Sequence, residues 1–431
     1  MFENDDGSKT RGGGSSSDEV DYHRDNGRTR ARKELPFSTA DGQTSSSSSS
    51  TTCYPSIEKN AKVCRPEREI LNDLDVVTVA AKPTCANKLA LISLRQYVNP
   101  RRIVVITTER KFCEKFVKAT DGVLCFMEDD LIDGITKDVV NRAIGKFSKN
   151  KDDDDDDMFM GRSLSGWYLQ QFIKLSIWQT KKLNPPISKQ YLVWDSDMIL
   201  LRRMRLFDDD DDKNSNRRRK AIRAIGGNVV VSYKRTYERL MSSMSTTTKT
   251  TKNSDSINSN NNKVQYASDG TSYVAHQMIF DSNIAKELLE TFANNSLKNM
   301  QESDESANNN NNGPRLPPWA EAIIREAFRD SENAHIGFSE YESYASFVST
   351  RHPELVKSLT RKNWARNPFF AGSIGVVVSK YVRDDGLCCP TNQILTPARW
   401  RGLAYVGFEI GHAEDTCDIK NSKYKDGYGW E

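Results

Sequence analysis

Tyr191-Leu192-Val193-Trp194-Asp195-Ser196-Asp197 is the stretch on which the reading of this chain turns. An apolar run stops abruptly at two carboxylates two positions apart. A buried β-strand explains the run. In extended backbone, residues i and i+2 face the same side. Asp195 and Asp197 are therefore expected to approach one hard divalent cation, Mg²⁺ or Mn²⁺. Such a cation bridges the two phosphates of a nucleotide diphosphate and stabilises the charge that develops on that leaving group. The run Asp152–Asp157 repeats the same D-x-D spacing, but it follows no strand and receives no weight. The bland alternative for Asp195 and Asp197 is a β-turn or helix-cap pair closing a strand.

Outward from this point the chain alternates between two periodicities. Asp75–Ala81, Arg102–Thr108 and Val123–Met127 are short apolar or β-branched runs and read as buried strands. Asn87–Val98, Lys111–Thr120 and Gly166–Gln179 carry helical apolar spacing. Strands alternating with helices imply an α/β fold with a mostly parallel sheet and right-handed crossovers. Ligands in such sheets bind beyond the carboxyl ends of the strands, which is where Asp195 and Asp197 lie.

The rest of the 431 residues is less regular. Only 37% of the chain is hydrophobic, and its net charge is +3. Residues 1–70 are Gly/Ser-rich with few aromatics and are expected to be a disordered tail, because they bury too little apolar area to offset their ordering entropy. Asp, Ser/Thr/Asn and Asn tracts mark surface-loop insertions near 148–161, 208–220, 243–270 and 299–313. Setting these aside leaves about 290 residues, which suits a single domain over 71–431. The removed stretches are acidic on balance, so the remainder is basic and suited to an anionic ligand. Its charge is too mild and scattered for a nucleic-acid partner. The dense run Arg217–Lys220 beside five Asp reads as a solvated loop.

No apolar stretch is long enough to span a bilayer, and the N-terminus has no apolar core of a signal peptide. These features point to the cytoplasm; an incomplete N-terminus would leave the Golgi or endoplasmic reticulum open. The eight Cys make no CxxC pair, and most are expected to be buried free thiols in a reducing compartment.

Four segments occur in a fixed order: Gly166-Trp167-Tyr168-Leu169-Gln170-Gln171, Trp194–Asp197, His276-Gln277-Met278-Ile279-Phe280-Asp281 and Phe338-Ser339-Glu340-Tyr341-Glu342. Together they resemble the DxD glycosyltransferases of the nucleotide-diphospho-sugar transferase superfamily, over roughly residues 73–380 without the insertions. The resemblance is narrowest to a branch combining GWYLQQ, WDSD, H-x-M-x-F-D and FSEYE segments. It implies the GT-A fold, a Rossmann-like, mostly parallel sheet flanked by helices. It also implies a hexosyltransferase-like enzyme, inverting or retaining, that uses Mn²⁺ or Mg²⁺ and a nucleotide-diphosphate sugar donor. The acceptor would be a glycan, protein or lipid hydroxyl.

On that resemblance Asp195 and Asp197 hold the metal, with His412 as a late ligand. Lys82 after the first strand contacts phosphate or base, and Ser196 lies between the two acids at the donor. Trp167, Gln170, Gln171 and Lys174 share a helix face at i, i+3, i+4 and i+7. Gln171 and Lys174 are expected to reach the sugar or diphosphate, with Arg162 assisting from the preceding loop. Leu169, Phe172, Ile173 and Ile177 form the packed face. Trp167 and His276 are candidates for the acceptor, and His276 alternatively for the metal. An inverting reaction needs a carboxylate to deprotonate the acceptor hydroxyl; Glu340 is the first candidate and Glu342 the second. Two other readings stand beside this one. A phosphohydrolase of the haloacid-dehalogenase type would use Asp195 as nucleophile and Asp197 as acid/base. A carbohydrate-binding or scaffold protein would keep the fold without the chemistry.

Overall fold

The computed structural model describes residues 51–55, 62–66, 71–147, 158–159, 162–208, 219–242, 271–301, 314–329, 337–366, 390 and 392–408. Strand β1 (Leu71–Val79) leads through helix α1 (Cys85–Tyr97) to β2 (Pro100–Thr107), and helix α2 (Arg110–Ala119) leads to β3 (Val123–Met127). Helices α3 (Lys137–Phe147) and α4 (Leu164–Ser176) precede β4 (Gln190–Trp194). Strand β5 (Met198–Leu200) and helix α5 (Val231–Met241) follow, then β6 (Gln277–Asp281) with helices α6 (Ser282–Gln301), α7 (Pro318–Ala327) and α8 (Glu340–Arg351). Strand β7 (Trp364–Ala365), helix α9 (Asn392–Trp400) and β8 (Tyr405–Gly407) complete the described elements used below. Each expected strand and helix of the α/β core is present, with ends displaced by a few residues.

The central sheet runs β6-β4-β1-β2-β3. Its four inner pairings are parallel except at β6, which lies antiparallel to β4. The parallel part thus reads 4-1-2-3: the chain moves from β1 outward through β2 to β3, then returns to place β4 on the other side of β1. The loops leaving β1 and β4 therefore diverge and open a crevice at their carboxyl ends.

Alternation fills both faces of this sheet. Val77, Val104 and Val193 pack on one face with Leu169 and Phe172 of α4 and the apolar sides of α6, α7 and α8. Val76, Ile103, Val105 and Leu192 pack on the other with Leu91 and Leu94 of α1 and Phe116 of α2. All four sheet residues of the second face are fully buried, as a strand covered on both sides requires. Each such side chain contributes about 1.5–3 kcal/mol through burial. A smaller sheet, β7-β8-β5, continues directly from β4, with β8 antiparallel to β5 and parallel to β7.

One expectation is corrected. The described cysteines are not free thiols: Cys113 on α2 is bonded to Cys125 on β3, with Cα atoms 5.3 Å apart, and Cys85 is also disulfide-bonded. Helix α2 packs back onto the strand that follows it, which brings together two cysteines whose spacing carries no motif. The two ends of the insertion expected near 208–220 carry described contacts. Asp208 is buried and paired with Lys357 at 2.7 Å, while Arg219 bonds Asp73 at 2.7 Å. Helix α6 likewise runs to Gln301, inside the insertion expected from 299. Within the segment expected as a tail, Thr51–Pro55 pairs antiparallel with Lys62–Pro66. No helix among the described residues is long and apolar enough to cross a membrane.

Candidate functional site

Strand β4 ends at Trp194, and residues 195–197 turn instead of continuing extended. Strand alternation therefore does not set the directions of Asp195 and Asp197; the turn's own bonds do. Met198 N donates to Asp195 O at 3.1 Å, Asn87 Nδ2 to Ser196 O at 2.9 Å, and Phe408 N to Asp197 O at 3.0 Å. Three consecutive carbonyls are thus held by three different parts of the chain. Asp195 N donates to His276 O at 2.9 Å, and Trp194 Nε1 donates to Met198 O at 2.8 Å.

The Asp195 side chain is the hub of a charge cluster drawn from three elements. Lys174 Nζ on α4 donates to Asp195 Oδ1 at 2.6 Å and to Glu340 Oε1 on α8 at 2.7 Å. Tyr341 Oη, also on α8, donates to Asp195 Oδ1 at 2.8 Å. His276 Nδ1, just before β6, lies 2.8 Å from Asp195 Oδ2. Glu340 N donates to Gln171 Oε1 at 3.1 Å, so α4 and α8 are joined twice. Burial pushes the Asp195 carboxyl up, but attraction to Lys174 and the His276 hydrogen bond outweigh it and hold the group well below the usual carboxylate range. Burial pushes the Lys174 ammonium down, and Asp195 and Glu340 together raise it above the ordinary lysine range.

Local sequence explains these placements. Ser163 Oγ caps α4 by accepting from Gly166 N at 3.2 Å, and Ser339 Oγ caps α8 by accepting from Glu342 N at 3.3 Å. Glu340 and Tyr341 therefore occupy the first turn of α8, facing the end of β4. His276 has φ +60°, in the left-handed region, at a cost of about 1–2 kcal/mol for a residue with a Cβ. Its side chain and carbonyl both bond Asp195, and its ring meets Trp364 edge-on at 5.1 Å. A strained residue over-determined by its partners is a feature of functional sites.

The expected residues separate into groups. Asp195, Ser196, Lys174, Gln171, Glu340 and His276 come together. Lys174 and Gln171 lie buried inside the cluster, between Asp195 and Glu340. Glu342 is fully buried and holds a different loop, accepting from Ser272 Oγ at 2.9 Å and Tyr273 N at 2.8 Å. Trp167 is half-buried on α4, its ring 5.0 Å from Tyr168. Lys82 is exposed in the loop after β1, and Arg162 lies in the two-residue strand just before α4. Asp197 is half-buried at the turn. His412 falls outside the described residues. Tyr341 and Asn87 were not singled out as site residues. Tyr341 stood in view between the two glutamates of FSEYE, and Asn87 sits three residues after Thr84, the spacing of a helix cap.

The residues can be tested against a divalent cation by counting lone pairs. A carboxylate offers about four acceptor positions. Asp195 Oδ1 accepts two hydrogen bonds and Oδ2 accepts one, so a position on Oδ2 remains. That oxygen can accept from one further group, and the half-buried Asp197 stands in the same turn; hydrogen-bonded partners of this kind commonly orient metal-ligating carboxylates. Among the described residues no group of three His, Cys, Asp or Glu side chains is placed to hold an ion.

No protein-family model matches the chain, and no curated protein matches it. Among solved structures, the apo form of mouse xyloside xylosyltransferase 1 is similar at a TM-score of 0.34 and 12% identity, covering 77% of this chain and 97% of that one. The apo structure of the bifunctional glycosyltransferase WbbM is similar at a TM-score of 0.30 and 10% identity, covering 81% of this chain and 48% of that one. Values this low carry no argument about chemistry, which rests on the residues themselves.

Proposed function

We propose that this chain is a metal-dependent glycosyltransferase that moves a sugar from a nucleotide-diphosphate donor to an acceptor hydroxyl. The observation that carries the reading is the position and state of Asp195 and Asp197. They lie at the carboxyl end of β4, beside the crevice between β1 and β4. Asp195 is held ionised and oriented before any ligand arrives, with one acceptor position left. In this reading Asp195 and Asp197 hold Mn²⁺ or Mg²⁺, with His412 as the further expected ligand. When bound, the cation would supply Lewis-acid stabilisation of the departing diphosphate.

The chain's own residues do the rest. Lys174 keeps the Asp195 charge compensated inside the protein, and Tyr341 and His276 fix the plane of its carboxylate. Preorganised charge of this kind is effective because nothing must reorient during reaction. Lys82 and Arg162 serve the donor phosphates, and Trp167 offers a ring to the acceptor. Glu340 takes the base role in an inverting reaction only by exchanging its Lys174 partner for the acceptor hydroxyl. A retaining reaction does not ask this of it.

Mn²⁺-dependent hydrolysis or transfer from a panel of nucleotide sugars tests the proposal. Asp197→Ala should abolish it. Full activity in the Asp195→Ala, Asp197→Ala double variant would sink the proposal.

A further inference from the structure

We propose that Asn87 is a positioning residue for the Asp195–Asp197 turn, acting through the Ser196 carbonyl. The inference rests on the reading of that turn as the place where the ligand's cation is met. Asn87 is the third residue of α1 and only 5% exposed. Its Oδ1 accepts from Thr84 N at 2.9 Å and from Thr84 Oγ1 at 2.8 Å, while its own N donates to Thr84 Oγ1 at 3.2 Å. With Oδ1 committed to two donors, the amide NH₂ is the group that faces Ser196 O at 2.9 Å. The network admits one amide orientation.

Capping and turn-holding ask different things of this side chain. The cap needs only an acceptor, which an aspartate supplies equally. The bond to Ser196 needs a donor, which only the amide has. The residue type thus exceeds what the helix requires, and the excess points at the turn. Asn87 is also the one described donor to the Ser196 carbonyl. Asp195 O is held within its own turn and Asp197 O by Phe408. Six residues further along α1, Ser93 Oγ accepts from Leu200 N at 3.0 Å, so one helix grips the chain on both sides of Asp197. The loop after β1 and the turn after β4 form the two lips of the crevice, and Asn87 joins them. Fixing the Ser196 carbonyl fixes the following peptide plane, and with it the direction in which Asp197 leaves the backbone.

Two variants of the full chain separate the two jobs. Asn87→Asp keeps the acceptor and the shape but removes the donor and sets a carboxylate against a carbonyl. Thr84→Ala removes the capping hydroxyl and keeps the amide. Hydrogen exchange in the ligand-free protein is read by mass spectrometry on a peptide spanning 191–201. Asn87→Asp should speed exchange there about tenfold or more and lower melting by a few degrees, since it leaves the Ser196 carbonyl without its donor. Thr84→Ala should lower melting by about 2–4 °C and leave that peptide protected. Mn²⁺ alone, followed by its free-ion EPR signal, should bind about 10- to 100-fold more weakly to Asn87→Asp and unchanged to Thr84→Ala. The added negative charge would by itself attract the ion, so weaker binding cannot come from charge.

Wild-type protection at 191–201 in Asn87→Asp would overturn the proposal. So would a Thr84→Ala variant whose 191–201 peptide exchanges as fast as that of Asn87→Asp, which would confine the residue to the cap. A wild-type chain that binds no Mn²⁺ counts against the proposed function instead, and the exchange comparison still decides the role of Asn87.

Discussion

The central sheet carries a carboxylate at each end, and the two ends handle it differently. At the amino end, the Asp75 side chain is fully buried and accepts four hydrogen bonds: two from Arg101, one from Arg102 and one from Ser188 N. At the carboxyl end, the Asp195 side chain keeps 22% of its surface and accepts three. Burial pushes both carboxyls up, and their partners bring both below the ordinary range. Asp75 is closed off from solvent, with four bonds and no exposed surface; Asp195 has three bonds and part of its surface still exposed. Buried charge alone therefore does not mark a site in this protein. What separates Asp195 is that its partners, drawn from α4, α8 and the residue before β6, leave part of it exposed.

The largest effect should come from breaking the closed cage. Asp75→Asn leaves two guanidinium groups facing a neutral amide, and should cost about 3–5 kcal/mol by denaturant unfolding. Lys174→Met breaks the open cage by leaving Asp195 and Glu340 facing each other. It should cost about 3 kcal/mol, and adding Glu340→Gln should return part of the loss, as coupled neighbours do. Additive losses would show that Lys174 does not bridge the two acids.

A third buried carboxylate sharpens the contrast. Glu128, just past β3, is 8% exposed and accepts no hydrogen bond among the described residues. Burial, with Asp129 adding to it against Lys137, pushes it up from 4.5 to about 7. The signs of the pH dependence are therefore opposite. Asp75 and Asp195 have folded values below their unfolded ones, so their stabilisation is present above about pH 4 and lost as pH falls. Glu128 holds its proton longer when folded, so stability from this group declines as pH rises from about 4.5 to about 7. Glu128→Gln should flatten that decline, by up to about 3 kcal/mol, in unfolding curves at pH 5 and pH 8. The last variant concerns the turn: on the proposed function, Asp197→Ala should remove Mn²⁺ binding, read from the free-ion EPR signal, in a chain that still unfolds cooperatively.

This difference also marks where sequence reasoning reached and where it stopped. The apolar runs of β1, β2, β3 and β4 and the 3.6-residue spacing of α1, α2 and α4 are local signals, and they were legible. The abrupt end of β4 at two aspartates located the turn. The partners were not legible, because they arrive from helices 21 and 145 residues away in the chain, and register decides them. The mix of aromatic, amide and ammonium groups on one face of α4 is unlike a core stripe and suggests that Lys174 and Gln171 reach a ligand. Here Glu340 on α8 covers that face and turns both side chains inward. Asn87 was read only as a helix start, because its second bond depends on the strand order that sets β4 beside β1.

The bridge between Cys113 and Cys125 has a practical meaning. Closing it withdraws two electrons from the chain, and Cys85 takes part in another such bond. The fold described above is thus finished only where something accepts those electrons. A preparation made under thiol-rich conditions would hold helix α2 against β3 by packing alone, and its edge of the sheet would open more readily than that of the oxidised chain. Chemistry done after synthesis, and not the sequence by itself, completes this molecule.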